Sequence, residues 1–194
     1  MDQVLKLLDS YTLLEAGLRD FLDAELEPLE FDKGDFLVRK GSVPRYLGFI
    51  EKGLLRGYHL DEKDNEKTSW FMKEGDIYAS VLGFFRQIPA VEWVVAIEPT
   101  LAHCLPFTKL KYALEKWPSF HLHRAEILQK YYLQSIEREM MRQQRGYAKF
   151  CYLMEHYSDL EQRVLDKYLA SFLNMQPEHY STIKKEYFEK HPRR

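Results

Sequence analysis

The stretch Pro118–Arg145 decides the fold, and it reads PSFHLHRAEILQKYYLQSIEREMMRQQR. Its apolar residues recur at steps of three or four, which is typical of one face of an α-helix; they are Leu122, Ala125, Leu128, Tyr132, Ile136 and Met140. Pro118 suits a first helical position. The span predicts a helix of roughly 42 Å, far longer than most helices in globular domains. We expect this helix to join two domains and to pair with its counterpart in a second copy of the chain. The alternative is a core helix of a single domain.

Length and composition narrow the class of protein. At 194 residues the chain can hold one or two domains. It has no apolar run of 18 residues, and its start lacks the features of a signal peptide. Its two cysteines, Cys104 and Cys151, show neither a disulfide framework nor metal-ligand spacing. We therefore expect a cytoplasmic protein with no membrane partner.

The charge is distributed unevenly along the chain. Residues 1–110 have 13 basic and 19 acidic side chains, a net charge of −6, whereas residues 111–194 have 15 and 11, a net charge of +4. The last fourteen residues alone have a net charge of +3. A basic second half favours binding of a polyanion. A solvated helical surface would give a similar pattern.

The region before the long helix shows two sequence patterns, one helical and one typical of strands. Residues 2–23 predict one or two amphipathic helices, and Thr12 followed by Glu15 is a capping-box pattern that predicts a helix start at Thr12. From Leu29 to Pro106, short apolar runs alternate with turn residues, which favours an antiparallel sandwich or jelly roll. The predicted strands are Phe36–Arg39, Tyr46–Glu51, Leu54–His59, Thr68–Met72, Trp93–Ile97 and Leu101–Leu105. Thr108–Lys116 predicts a short helix that leads into the long one.

The spacing of glycines in this β region resembles a known family. Gly34-Asp35, Gly41, the run Tyr46–Tyr58 (YLGFIEKGLLRGY), Phe71 and Glu74-Gly75-Asp76 are similar to the β-roll of cyclic-nucleotide-binding-like domains. Over nearly its whole length, the chain resembles the Crp/Fnr superfamily of transcription regulators. The resemblance implies an α+β architecture with an N-terminal double-stranded β-helix or jelly-roll domain over residues 1–117. It also implies a central dimerisation helix over 118–145 and a small helix-turn-helix domain over 146–194.

The ligand site of that family is where this sequence departs. Members that bind cyclic nucleotides hold the phosphate with a Gly-Glu pair and a later arginine, and guanidinium suits such an anion. Here the second place is taken by residues 89–93, PAVEW, in which Glu92 would repel a phosphate. We therefore expect no binding of cyclic AMP and no cofactor. The corresponding pocket is either vestigial or open to an unidentified uncharged effector, with a lining of Tyr78, Ser80, Phe84, Phe85 and Trp93.

The basic end of the chain predicts a helix, a tight turn and a second helix that starts at Pro177. Leu169, Ala170, Leu173, Tyr180 and Ile183 are predicted to face inward. In the resembling family the second helix enters the major groove of double-stranded DNA. Carried over by position, the DNA-binding residues are Gln176, Glu178, His179, Ser181, Thr182, Lys184 and Lys185, with Lys190 as a further phosphate contact.

Two departures weaken this prediction. The family usually has an arginine, its chief guanine reader, where this chain has Thr182. The β-hairpin wing that often follows is expected to be absent, since the sequence ends at Arg194.

Other chemistries have less support in the sequence. His121 and His123 are two apart on a helix and diverge, and His59 and His103 are the only strand histidines, so no metal site is predicted. Two cysteines are too few for an iron–sulfur cluster, although one axial ligand would suffice for haem. No hydrolase, P-loop or dinucleotide motif is present, so an enzyme is not expected. The leading hypothesis is a homodimeric transcription regulator. The alternative is a ligand-binding or protein-interaction module with a degenerate DNA-binding head.

Overall fold

The computed structural model describes residues 2–192, which fall into two compact units. The first unit comprises residues up to His59 together with Trp70–Gln129. The second comprises Leu60–Ser69 together with the residues from Lys130 onwards. The basic residues Arg193 and Arg194, part of the predicted positive tail, lie outside the described residues. The domain boundaries expected from the sequence stay predictions.

The first unit is built on two four-stranded antiparallel sheets. The strands are β1 (Glu27–Phe31), β2 (Phe36–Val38), β3 (Tyr46–Lys52), β4 (Leu54–Leu60), β5 (Glu66–Lys73), β6 (Ile77–Tyr78), β7 (Trp93–Ala96) and β8 (Thr100–Pro106). One sheet has the order β1-β8-β3-β6 and the other β2-β7-β4-β5. The jelly-roll prediction is confirmed, and each predicted strand is present within one or two residues at either end.

Two strands, β1 and β6, were missed by sequence reasoning. The first, EPLEF, has a proline and two glutamates three residues apart, so it lacks the alternation typical of a strand, and the second has only two residues. Pairing to neighbours makes them strands: Leu29 lies opposite Ala102, and Tyr78 lies opposite Gly48. Neighbours in space, rather than local propensity, decide such short or polar strands.

The helices of this unit share one hydrophobic core with residues of β3 and β8. They are α1 (Asp2–Tyr11), α2 (Ala16–Glu25), α3 (Val81–Arg86), α4 (Phe107–Lys116) and the start of the long helix α5 (Phe120–Arg142). Their buried residues include Leu18, Leu22, Phe84 and Ala113. A second core lies between the two sheets and includes Ile50, Leu55, Val94, Ala102 and Cys104.

The helix start predicted at Thr12 is wrong, because Thr12 ends a helix instead. Its N–H donates to the carbonyl of Leu8 at 3.3 Å, and its own carbonyl accepts from Nε2 of His123 at 2.8 Å. The next helix begins at Ala16 with Glu15 at its N-cap. Thr12 and Glu15 thus have the spacing of a capping box, but no helix starts at Thr12.

The long helix is shorter than predicted at both ends. Trp117 is buried and extended, and the N–H of Phe120 donates to its carbonyl at 2.9 Å, so a tight turn precedes the helix. At the other end, Gln143 and Gln144 bond back three residues, which closes the last turn. The helix thus spans 23 residues instead of the predicted 28.

The second unit is helical apart from the strand residues of its Leu60–Ser69 segment. After α5 come α6 (Gly146–His156), α7 (Leu160–Arg163), α8 (Asp166–Phe172) and α9 (Pro177–Lys190). The predicted inward residues Leu169, Ala170, Leu173, Tyr180 and Ile183 are all buried. No helix among the described residues has the length and apolar character needed to cross a bilayer.

Candidate nucleic-acid interface

The turn between α8 and α9 has a defined geometry. The N–H of Met175 donates to the carbonyl of Ala170 at 2.9 Å, and the N–H of Asn174 donates to the carbonyl of Ser171 at 3.0 Å. These two bonds are the Schellman pattern, in which the residue after the helix adopts a left-handed conformation. Asn174 takes that position with φ of 51°. Pro177 then starts α9, as the sequence predicted.

The buried face of α9 fixes its orientation in the second unit. Tyr180 is fully buried, with its ring 5.5 Å from that of Phe150 on α6. At Gly146, where α6 begins, an added Cβ would come within 2.6 Å of both His179 and Ile183 side chains. The glycine therefore allows α6 and α9 to approach closely. Because these contacts occupy one face of α9, its opposite face is left to solvent.

Most of the predicted DNA-binding residues are exposed, although His179 lies beside Gly146 of α6 and Gln176 is the N-cap before α9. Those exposed are Gln176, Glu178, His179, Ser181, Thr182 and Lys185. The hydroxyls of Ser181 and Thr182 donate to the carbonyls of Pro177 and Glu178, each at 3.0 Å. In this arrangement both hydroxyls present only acceptor lone pairs outward. They match the amino groups of adenine or cytosine in the major groove.

Lys184 is placed differently from the other predicted residues. Its Nζ lies 2.9 Å from Oε1 of Glu161 and 2.7 Å from Oδ1 of Asp166, and the Glu161 side chain is 3% exposed. Burial disfavours the charged ammonium, but hydrogen bonds to Asp166 and Glu161 outweigh it and raise the pKa of Lys184. This lysine ties α9 to α7 and α8 inside the unit. That position is at odds with the phosphate contact expected for it.

The remaining predicted phosphate contacts stay at the surface. Lys185 is 80% exposed and lies 3.9 Å from Glu189, one turn further along α9. Lys190 pairs with Glu186 at 2.7 Å, which raises the pKa of Lys190. Such exposed pairs within one helix contribute little to stability, so both lysines can exchange their partner for a phosphate.

A cluster in the second unit was missed by sequence reasoning. The guanidinium of Arg142 donates through Nη2 to the carbonyls of Thr68 and Ser69, at 3.1 and 3.2 Å, and through Nε to the carbonyl of Phe172 at 3.3 Å. The hydroxyl of Ser171 accepts from the N–H of Thr68 and donates to the carbonyl of Glu66, both at 2.9 Å. The segment Leu60–Ser69 is thereby held against α5 and α8. Since most acceptors are backbone carbonyls, no sequence pattern marks this cluster.

The six residues of the predicted dimer seam lie mainly on the outer side of α5. Leu122, Leu128, Tyr132, Ile136 and Met140 are each at least 40% exposed, and Ala125 is exposed as well. His123 and Met141, on the other side of the helix, are buried. A stripe of five large apolar side chains in water is unusual for a single chain.

The residues of the predicted effector pocket are divided among several environments. Tyr78 belongs to the core between the sheets, where its hydroxyl lies 3.3 Å from Sγ of Cys104, and Phe84 belongs to the core of the helices. Phe85 is 38% exposed, and Trp93 stacks on Tyr58 at 5.3 Å. Ser80 is buried at the start of α3. The five side chains therefore differ in burial and in the side chains they pack against, and their role as a pocket stays a prediction.

Aromatic rings pack directly on the glycines of the roll. An added Cβ at Gly57 would come within 2.1 Å of the indole of Trp70, and one at Gly48 within 2.4 Å of the ring of Tyr78. Trp70 also donates from Nε1 to Oε2 of Glu92 at 3.3 Å. Burial raises the pKa of Glu92, while hydrogen bonds from Ser80 and Trp70 partly oppose the shift. By the resemblance, residues 89–93 correspond to the region of the family's phosphate-binding arginine. In this chain that region instead contains Glu92, whose carboxyl group is hydrogen-bonded to the indole of Trp70.

Metal chemistry has no visible centre in the described part of the chain. No group of three or more His, Cys, Asp or Glu side chains there is placed to hold an ion. Cys104 is buried, and burial raises the pKa of its thiol to about 11, so it remains a neutral thiol near pH 7.

Comparison with known proteins agrees with this architecture. Residues 28–116 match the family model described as the cyclic nucleotide-binding domain. No curated protein sequence matches the chain.

Solved structures resemble the chain over most of its length. FixK2 from Bradyrhizobium japonicum has a TM-score of 0.71 at 11% identity, with 86% of each chain covered. The regulator CLP from Xanthomonas campestris, described as responsive to c-di-GMP, has a TM-score of 0.71 at 12% identity, with 91% of this chain and 93% of CLP covered. A protein from Eubacterium rectale described as a Crp/Fnr-family transcriptional regulator has a TM-score of 0.72 at 14% identity, covering 92% and 85%. The chain is thus Crp/Fnr-like in its fold, and its residues 28–116 match the model of the cyclic nucleotide-binding domain.

Proposed function

We propose that the chain is a cytoplasmic, homodimeric transcription regulator that binds double-stranded DNA through α9 and is not an enzyme. The observation that carries this proposal is the α8–turn–α9 pair, with its Schellman turn, buried inner face and polar outer face. A helix with these features can be presented to the major groove. Two of the proteins with similar structures, CLP and the Eubacterium rectale protein, are described as regulators, which supports the same function.

The dimer in this proposal is formed along α5. The exposed stripe from Leu122 to Met140 has the helical spacing that a second copy could cover. A two-fold dimer would carry two α9 helices and would read two half-sites about one DNA turn apart. An effector, if the roll takes one, would act by favouring one arrangement of the dimer over another.

In this proposal the roll does not bind cyclic AMP. The rings of Trp70 and Tyr78 lie against Gly57 and Gly48, and Glu92 places a carboxyl group where an anion would need a cation. Charge and space both oppose a cyclic phosphate.

A second candidate function is a ligand-binding or protein-interaction module whose DNA-binding head has degenerated. Two observations favour it: Lys184 is held by Glu161 and Asp166, and the hydroxyl of Thr182 is bonded to its own helix. Both side chains therefore offer weaker contacts to DNA than the family pattern implies.

Fluorescence anisotropy with labelled genomic fragments from beside its own gene, and with random duplexes of equal length, separates the two functions. A regulator should prefer one fragment by about tenfold or more and should lose affinity steeply with salt. Replacing the exposed Lys185 by alanine should weaken binding to all sequences by a similar factor. The matched control is Lys111→Ala, which removes a similarly exposed lysine from α4 and should change nothing. Weak binding that ignores sequence would overturn the regulator and support the module.

A further inference from the structure

The surface around α3 combines exposed apolar side chains with positive charge, and the proposed function does not use it. The apolar members are Val43, Val81, Leu82, Phe85, Ile88 and Val91, which are between 38% and 57% exposed. The basic members are Arg39, Lys40, Arg45 and Arg86, all exposed. We call these ten residues the α3 patch.

Backbone contacts hold the segments of the patch side by side. The N–H of Gly41 donates to the carbonyl of Ala90 at 2.8 Å, and the N–H of Ala90 donates to the carbonyl of Ser42 at 2.9 Å. An added Cβ on Gly83 would lie 3.0 Å from the ring of Pro44, so α3 rests on the turn before β3. The turn before β3 and the segment from α3 to Val91 are therefore neighbours in the first unit, and both carry exposed side chains.

The charge of the patch is opposite to that of its surroundings. Residues 39–47 and 77–91 contain four basic and no acidic side chains, although residues 1–110 as a whole have a net charge of −6. The nearest acid in sequence, Glu92, accepts a hydrogen bond from Trp70, and burial raises the pKa of its carboxyl group. The patch is thus a positive island in an acidic part of the chain.

Two of the four cations lie over aromatic rings. The guanidinium of Arg39 lies 4.1 Å from the ring centroid of Phe36, and Nζ of Lys40 lies 5.3 Å from that of Trp93. Cation–π contacts of this kind restrict where the charge can go. Fixed positive charges beside bulky apolar side chains suit a partner whose carboxylates are also fixed. They suit a fluid layer of lipid headgroups less well.

We propose that the α3 patch binds an acidic amphipathic helix of another protein. Leu, Ile, Val or Phe side chains at helical spacing would pack on Val81, Leu82 and Phe85, and flanking carboxylates would pair with Arg39, Lys40, Arg45 and Arg86. Helices recognised in this way present anchors at steps of three and four residues. Three of the four cations are arginines, which bind carboxylates with two parallel hydrogen bonds. This interaction is independent of DNA binding.

Anisotropy with a designed peptide tests the proposal on the full chain. The probe is a labelled peptide of about 18 residues, five helical turns, with Leu and Phe on one face and Glu on the other. A peptide with Lys in place of Glu and a scrambled acidic peptide are the comparison probes. We expect the acidic amphipathic peptide to bind at least about tenfold more tightly than either, and to weaken as salt rises.

Variants then locate the binding surface. Phe85→Ser with Arg86→Glu should weaken binding of the acidic peptide by about tenfold or more, because an anchor is lost and a charge reversed. Leu13→Ser with Lys111→Glu alters an exposed apolar residue and an exposed cation outside the patch and should leave binding unchanged.

Three results would overturn the proposal. The first is no preference for the acidic amphipathic peptide, and the second is equal loss in both double variants. The third is an occupant of another class: tighter binding to vesicles of anionic lipid, or a dimer in sedimentation that only the Phe85→Ser, Arg86→Glu variant disrupts.

Discussion

At the scale of single residues, Lys184 and Lys185 are neighbours on α9 with different surroundings. Lys184 touches the buried carboxylate of Glu161 and also Asp166, whereas Lys185 is 80% exposed. Removing a cation beside a buried carboxylate lowers the free energy of unfolding, whereas removing an exposed cation changes it little. Folding and DNA binding can therefore be separated at two adjacent positions.

Lys184→Ala should lower the free energy of unfolding by about 2 kcal/mol, below the usual cost for a fully buried pair because Lys184 is partly exposed. Lys185→Ala should leave it within about 0.5 kcal/mol of the wild type. Urea unfolding followed by circular dichroism measures both. Since the pKa of Lys184 is raised in the folded state, its contribution is complete below pH about 10 and should fade as pH rises further. Equal stability of the two variants would contradict this assignment.

On the proposed DNA-reading surface, Thr182 stands where the resembling family usually has an arginine. Its side chain is exposed on α9, and its hydroxyl is bonded to the carbonyl of Glu178. Thr182→Arg would replace this short side chain by a guanidinium that can bind a guanine with two hydrogen bonds. We expect fragments with guanine at the facing position to gain about 1–3 kcal/mol of binding free energy over fragments without it. Competition anisotropy on a fragment series measures the change, and the same gain at every fragment would show only a phosphate contact.

At the scale of elements, the outer stripe of α5 is the proposed dimer seam. Leu128 is 43% exposed and central in the stripe, and a carboxylate there would be buried without compensation in a paired seam. Leu128→Glu should therefore give monomers in sedimentation velocity at concentrations where the wild type is dimeric. Gln134→Glu adds the same charge on the side of α5 away from the stripe, the side of His123 and Met141, and should leave the dimer intact. If both variants remain dimeric, the seam lies elsewhere.

The turn between β4 and β5 depends on one carboxylate. Asp61 accepts hydrogen bonds from the N–H groups of Asn65 and Lys63, both at 2.9 Å, and these bonds lower its pKa to about 2. Because the folded pKa lies below the ordinary value of 3.8, the carboxylate stabilises the turn above that value. The effect should fade as pH falls towards 2.

Hydrogen exchange of the turn amides tests this element directly. Between pH about 4 and about 2, protection at Lys63 and Asn65 should fall relative to that of the strands. In Asp61→Ala, protection at Lys63 and Asn65 should no longer depend on pH in this range. In Glu62→Ala, which changes the neighbouring exposed carboxylate, the dependence should remain. Protection that is independent of pH in the wild type would argue against a capping role for the carboxylate.

At the scale of the molecule, the sequence predicted the features that depend on local chemistry. The jelly-roll strands, the start of α9 at Pro177 and the buried faces of α8 and α9 follow from periodicity and turn residues. Features that depend on neighbours in space were not predictable. The strand β1 exists because it pairs with β8, and the Arg142 contacts exist because carbonyls of Thr68 and Ser69 lie within reach. Likewise, only the fold brings Glu161 and Asp166 to Lys184.

The interior of the roll leads to a prediction for the whole protein. Trp70 lies on Gly57 and Tyr78 on Gly48, so aromatic side chains of the chain itself occupy space beside the sheets. Glu92 accepts a hydrogen bond from Trp70, and it lies in the stretch that corresponds, by the resemblance, to the phosphate-binding arginine of nucleotide-binding family members. Isothermal titration of the full chain with cyclic AMP should therefore show no binding in the micromolar range. Glu92→Arg should not restore binding by itself, because both rings remain in place. Micromolar binding by the wild type would mean that the rings move aside and would contradict the packing of Trp70 and Tyr78. Binding by Glu92→Arg alone would show that charge, and not space, excludes the nucleotide.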